Sequence, residues 1–183
     1  MTETKLFMQH DAILDLIEGM SRVLRNHLHD HGHDDPVMIG IHTGGVWVAE
    51  QLHRQLALTV PLGKLDISFY RDDFTRIGMN PQVRPSDIPF EVEDRHIILV
   101  DDVVQSGRTI RAALNEIFDY GRPASVTLVT LIERGGRELP IQPDVSGLRP
   151  PLEPHEHIRL KGPEPLSLEI GRSRKARHQD QDD

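Results

Sequence analysis

The chain has 183 residues, a formal net charge of −8, 37% hydrophobic and 27% charged residues, and no cysteine. That length suits one domain able to bury roughly 70% of its unfolded surface, and a disordered chain would be poorer in Ile, Leu and Val. Disulfides and cysteine nucleophiles are excluded, and the acidic balance argues against a basic nucleic-acid-binding surface overall, though not against a local patch. No apolar run approaches the roughly 18 residues of a bilayer span. The N-terminal Met-Thr-Glu-Thr-Lys lacks a basic-then-apolar signal layout. A cytoplasmic protein without membrane contact is expected.

Leu14, Ile17, Met20, Leu24 and Leu28 repeat at helical spacing and predict an amphipathic helix over residues 11–28. Asp11 and Asp15 sit near its start, where the helix dipole favours negative charge. His27, His29, His31 and His33 alternate at its end. Imidazole can ligate zinc, but a solvated helix end accounts for them more simply. Residues 37–42 predict a buried strand that runs into the tight turn Thr43-Gly44-Gly45. A second helix is predicted over 46–58, with Val48, Leu52 and Leu56 on one face and Trp47 packing beside them. Residues 64–71 alternate Leu65, Ile67 and Phe69 against Asp66, Ser68 and Tyr70, which is strand period. Residues 72–87 are polar, are broken by Gly78, Pro81 and Pro85, and predict a long mobile loop of functional length.

Residues 97–100 read as a compact buried strand. Residues 109–120 read as a helix stopped by Gly121 and Pro123, and 125–132 as another strand. Alternating strands and helices imply an α/β fold, a parallel sheet flanked by helices. Residues 134–170 are rich in Pro and Gly with short apolar pieces such as 166–170, consistent with a small subdomain over the strands' carboxyl ends. A single domain over 1–170 is expected, followed by a disordered polar tail over 171–183.

The chemistry concentrates between Ile97 and Thr109. Four apolar residues are followed by Asp101-Asp102, then Val103-Val104-Gln105-Ser106-Gly107-Arg108-Thr109. In an open parallel sheet, ligands bind at the strands' carboxyl ends. The following helix start presents unpaired N–H groups and partial positive charge. Ser106 and Thr109 add hydroxyls, and Gly107 lets backbone close around an anion. Carboxylates suit ribose hydroxyls and can hold Mg2+ directly or through water. A carboxylate pair beside a phosphate cradle describes a sugar phosphate. The chain has no Gly-x4-Gly-Lys-Ser/Thr loop for a nucleoside triphosphate.

This stretch resembles the 5-phosphoribosyl-1-pyrophosphate (PRPP) motif of type I phosphoribosyltransferases. Residues 40–45 (Gly-Ile-His-Thr-Gly-Gly), 66–73 (Asp-Ile-Ser-Phe-Tyr-Arg-Asp-Asp) and 133–141 (Glu-Arg-Gly-Gly-Arg-Glu-Leu-Pro-Ile) extend the likeness. In order and spacing they resemble the PyrR family, the pyrimidine operon regulators that are also uracil phosphoribosyltransferases. The match covers most of residues 5–170.

The resemblance implies a type I phosphoribosyltransferase fold with a small hood, formed mainly by 134–170 with the N-terminal segment, and a flexible loop. It implies transfer of the phosphoribosyl group of PRPP to uracil, giving UMP and pyrophosphate with Mg2+. Residues 101–109 would hold the ribose 5-phosphate end, with Asp101 and Asp102 as catalytic groups and indirect metal partners. Thr43, Gly44 and Gly45 would face the pyrophosphate. Arg71 would close over PRPP with the loop after it, and Glu133, Arg134 and Arg137 would belong to the part that reads uracil. A homo-oligomer, dimer or tetramer, and binding to a pyrimidine-operon leader RNA are further implications. Arg22, Arg25, Arg54 and Arg111 are candidate RNA contacts.

Two other functions use the same pocket: a UMP-sensing RNA-binding attenuator with little catalysis, or a purine phosphoribosyltransferase with a different hood. This chain also departs from the family pattern. Gly44 stands where the pyrophosphate loop commonly has Arg, Gly136 where His is common, and Gln105-Ser106 where Tyr-Thr is common.

Overall fold

The computed structural model describes residues 4–68 and 85–172. In chain order these form β1 (Thr4–Met8), α1 (His10–Asp30), β2 (Val37–Ile41), α2 (Gly44–Gln55), β3 (Gly63–Leu65) and β4 (His96–Val104). They continue with α3 (Arg108–Tyr120), β5 (Ser125–Glu133), β6 (Val145–Leu148), β7 (Glu156–Lys161) and β8 (Ser167–Arg172). Five strands in the order β3-β2-β4-β5-β6 make a sheet with every pairing parallel. The architecture is the α/β class expected, a parallel sheet flanked by helices. A second sheet, β1-β8-β7, is antiparallel and joins the two ends of the described chain.

The central strands alternate between two cores, as a strand covered on both faces must. Met38, Ile98 and Val100 point into one cluster with Ile13, Ile17 and Leu24 of α1 and Val48 and Leu52 of α2. Val37, Ile39, Ile41, Ile97 and Leu99 point the other way, onto Ile110, Ala113 and Ile117 of α3. The small sheet adds Ile158, Leu160 and Leu168 to the first cluster, so it shares the core of the main sheet. Trp47 packs against the first core and lies beside Gly162, where an added Cβ would come within 2.9 Å of the indole ring.

Several expected boundaries move, each for a local reason. Of the strand expected over 64–71, the described residues show β3 at Gly63–Leu65, and 69–71 lie outside them. Asp66 then turns the chain by accepting the Ser68 N–H on Oδ1 at 2.9 Å, while its own N–H donates to Ser86 Oγ. The end of the expected loop is pinned: Lys64 and Asp87 exchange backbone hydrogen bonds of 2.7 Å, and Ser86 Oγ donates to Glu116 of α3. The central strand runs to Val104 instead of ending at Val100, because β5 keeps pairing with it as far as Glu133. Residues 145–148 and 156–161, within the Pro- and Gly-rich segment for which no strand is predicted, are strands, and β8 extends to Gly171 and Arg172, two residues into the expected tail. The rest of that tail and Arg71 lie outside the described residues. Among the described residues no helix is long and apolar enough to cross a membrane.

The histidine run ends α1 at the sheet's amino edge, away from the strands' carboxyl ends. His27 stacks on His31 with ring centroids 4.2 Å apart, and His33 stacks on His96 of β4 at 4.3 Å. Among the described residues no group of three or more His, Cys, Asp or Glu is placed to hold a metal. Burial lowers the His33 pKa from 6.5, and the nearby His96, His31 and His27 lower it further, against a raising effect of Asp144. A histidine with a depressed folded pKa stabilises the fold above its unfolded pKa, and loses that contribution as pH falls through the folded value. Thermal unfolding followed by circular dichroism should therefore show Tm falling between about pH 7.5 and about pH 5.5. His33→Phe, which keeps a stacking ring without a titrating nitrogen, should flatten that fall.

Candidate active site

Strands β2 and β4 are neighbours, but the chain leaves them in opposite directions. From β2 it crosses by α2 to the outer strand β3; from β4 it crosses by α3 to β5 on the other side. Helices α2 and α3 pack on opposite faces. A crevice must open where these connections diverge, outside the carboxyl ends of the strands. Both helix starts, Gly44 and Arg108, lie at that end, so the unpaired N–H groups of two first turns border one space.

Pairing between β2 and β4 stops at Gly40–Val100, while β4 continues through Asp101 and Asp102 along β5. The carboxylates therefore stand past the end of β2, facing the 43–45 turn. Asp101 is 3% exposed, and its Oδ1 accepts the Asp102 N–H at 2.9 Å. Asp102 is less buried. A Cβ on Gly44 would fall on the Asp102 carboxylate, and one on Gly45 would meet the Val100 carbonyl at 2.7 Å and Asp101 Cα at 3.0 Å. At Gly45 the obstacle is strand backbone, so a side chain there would have to move the turn, whereas at Gly44 it is the movable side chain of Asp102. Thr43 is exposed just before α2.

The next turn is shaped by Gly107, at φ +92° in the left-handed region that glycine tolerates. Val103 packs half-buried against the first core and Val104 is buried in the second. The Arg108 N–H donates to Ser106 Oγ at 3.2 Å, and Thr109 lies in the first turn of α3. Segment 137–139 folds onto this turn: the Glu138 and Leu139 N–H groups donate to the Ser106 carbonyl, and Arg108 Nε donates to Glu138 at 2.7 Å.

Glu133, Arg134 and Arg137 come to the same place, where they serve the loop itself. Arg134 Nη1 donates to Gln105 Oε1 at 3.0 Å and its Nη2 to the Glu156 carbonyl of β7 at 2.7 Å. Burial lowers the pKa of this guanidinium from its usual value. Arg137 reaches the Gln105 carbonyl at 2.6 Å and Glu133 Oε1 at 2.9 Å. Arg149, which carries no motif, also pairs with Glu133, at 2.6 Å. The parallel register of β5 and β6, with Ile132 opposite Leu148, puts these two residues side by side. Glu133 is 5% exposed between its two arginines. An open concavity of about 530 Å³ lies against Gly135, Gly136, Arg137 and Arg149.

Asp102 with its partner Asp101 fits a Mg2+ that brings most of its ligands with it. Mg2+ binds one or two carboxylates and fills its sphere with water and substrate oxygens. A dedicated protein cage is not built among the described residues.

A model of the phosphoribosyl transferase domain family matches residues 5–159. The "Bifunctional protein PyrR" of Nitrosococcus oceani is 61% identical over 157 residues, covering 85% of this chain and 89% of that protein. The protein of the same name in Pseudomonas aeruginosa is 59% identical over 155 residues, covering 85% and 91%. Among solved structures, the hypoxanthine phosphoribosyltransferase of Trypanosoma cruzi superimposes with a TM-score of 0.62 at 22% identity, covering 80% of this chain and 82% of that one. A hypoxanthine-guanine-xanthine phosphoribosyltransferase gives 0.57 at 22% identity, over 78% and 76%. The solved structures share the fold, and the two relatives share most of the sequence: the chain belongs to the PyrR family of phosphoribosyltransferases.

Proposed function

We propose that this protein transfers the phosphoribosyl group of PRPP to uracil, releasing UMP and pyrophosphate, and that it regulates pyrimidine operon expression. One observation carries the reading. Two helix starts and a carboxylate pair converge at one sheet switch point, within a chain about 60% identical to PyrR proteins. The 106–109 turn would take the 5-phosphate on its N–H and hydroxyl groups. Asp102 would accept from the ribose hydroxyls. The first turn of α2, at Gly44 and Gly45, would face the pyrophosphate. Donors fixed where charge grows in the transition state accelerate departure most. Mg2+, when bound, offsets pyrophosphate charge. Arg71, beyond the described residues, is proposed to supply the cationic contact over PRPP that Gly44 does not. The antiparallel sheet β1-β8-β7 is proposed as the hood over the base. Residues 1–170 are read as a single domain with a polar tail after it, cytoplasmic and assembled as a dimer or tetramer.

RNA binding is part of this reading. Arg25 donates to the Gln55 carbonyl at 2.9 Å, which brings it beside α2 and Arg54, whereas Arg111 lies on α3 across the sheet. Arg25 and Arg54 thus share one side of the sheet and Arg111 the other, and we propose that a second copy completes the RNA surface.

The test is a side-by-side assay of uracil, hypoxanthine and guanine with PRPP and Mg2+. UMP as the dominant product is expected; a faster purine reaction would contradict the base assignment. Leader RNA should bind best at low salt with UMP present, where phosphate contacts are strongest; no binding under those conditions would reject the regulatory half.

A further inference from the structure

The side chain of Gln105 is exposed just before the 106–109 turn that is read as the 5-phosphate cradle. Its two ends have different surroundings. Oε1 accepts from Arg134 Nη1 at 3.0 Å. Arg134 cannot swing away, because its Nη2 is tied to the Glu156 carbonyl of β7. The backbone of Gln105 is fixed as well, its carbonyl accepting from Arg137 at 2.6 Å.

A guanidinium only donates, so the amide must present its oxygen to Arg134. Nε2, with its two hydrogens, is thereby forced to the other side. There it lies over Gly136, where an added Cβ would sit 3.5 Å from Nε2. Gly136 has φ +95°, a backbone that side-chain-bearing residues rarely adopt, and it borders the concavity. Among the described residues, no acceptor is hydrogen-bonded to Nε2. A donor of fixed polarity thus sits exposed beside the phosphate turn, next to a glycine that lines the concavity.

We propose that Gln105, with its amide oriented by Arg134, reads the incoming base by donating from Nε2 to a ring carbonyl. This rests on the phosphoribosyl-transfer reading and deepens it, by assigning the base preference to an oxo group. Uracil offers carbonyls on both sides of its ring N–H. A base with an exocyclic amine at that position would set donor against donor and leave a desolvated amide unpaired, a mismatch that sites built on hydrogen bonds reject strongly. Gln105 touches the base, and Arg134 is the positioning residue behind it.

The test uses the full chain and steady-state kinetics with uracil and cytosine. Gln105→Glu keeps an oxygen for Arg134 but turns the outward face from donor to acceptor. Gln105→Leu removes the donor without adding charge. In both, KM for uracil should rise about tenfold or more, KM for PRPP should move much less, and the preference for uracil over cytosine should shrink. Two results would overturn the proposal: uracil KM within about twofold of wild type in both variants, or an equal rise in both KM values, which would make Gln105 a loop-positioning residue. Absence of UMP formation by the wild-type protein would instead reject the underlying reaction, and this assignment with it.

Discussion

Asp102→Asn should lower the rate of UMP formation about tenfold or more, with the loss in kcat/KM for PRPP. The substitution is nearly isosteric, so the close approach of Gly44 to residue 102 is kept. What changes is charge. A carboxylate accepts from both ribose hydroxyls and supports a nearby Mg2+, whereas a carboxamide does so at one oxygen and presents donors at its other end. Because Asp102 stands at the rim of the crevice, the fold should be unaffected and the far-ultraviolet circular dichroism unchanged. Wild-type rates in this variant would overturn its placement in the site.

Gly45→Ala tests the turn above the carboxylates. The new Cβ would meet the Val100 carbonyl at 2.7 Å and Asp101 Cα at 3.0 Å. Both are backbone atoms of a central strand paired on each side, so the turn must yield. Overpacking of this kind costs about 1–3 kcal/mol, or roughly several degrees in Tm for a chain of this size. The displaced turn would also move the first N–H groups of α2 off the pyrophosphate position. Activity should fall further than stability alone explains, with KM for PRPP raised. A variant with both native Tm and native KM would show that the turn has slack.

Much of this site can be read along the chain because its parts are local. The run of four apolar residues before Asp101, and the Ser-Gly-x-Thr turn before a periodic helix, are complete within thirteen residues. Helix α1 is nearly as plain, since Ile17, Met20, Leu24 and Leu28 lie on its buried face as expected, with Ile13 in place of the half-buried Leu14. What escapes a linear reading depends on distant partners. The strand extends to Val104 only because β5 continues beside it. Strand β6 contains Gly147, where a side chain would collide with the Leu131 carbonyl and the Met20 sulfur, contacts no local pattern foretells. The small sheet pairs residue 4 with residue 171. The ion pair between Glu133 and Arg149 comes from a strand register, and the orientation of Gln105 from an arginine 29 residues away. Sequence thus names the groups proposed to meet phosphate and ribose; the residues that hold those groups in place appear once the sheets are assembled.

The central claim is that this crevice transfers phosphoribose from PRPP to uracil. Its most direct test is to incubate the purified protein with PRPP, uracil and Mg2+ and to quantify UMP and pyrophosphate together. The account predicts equal amounts of both, dependent on uracil and abolished by chelating the metal. No UMP above background at millimolar substrates, or pyrophosphate released without UMP, would contradict it.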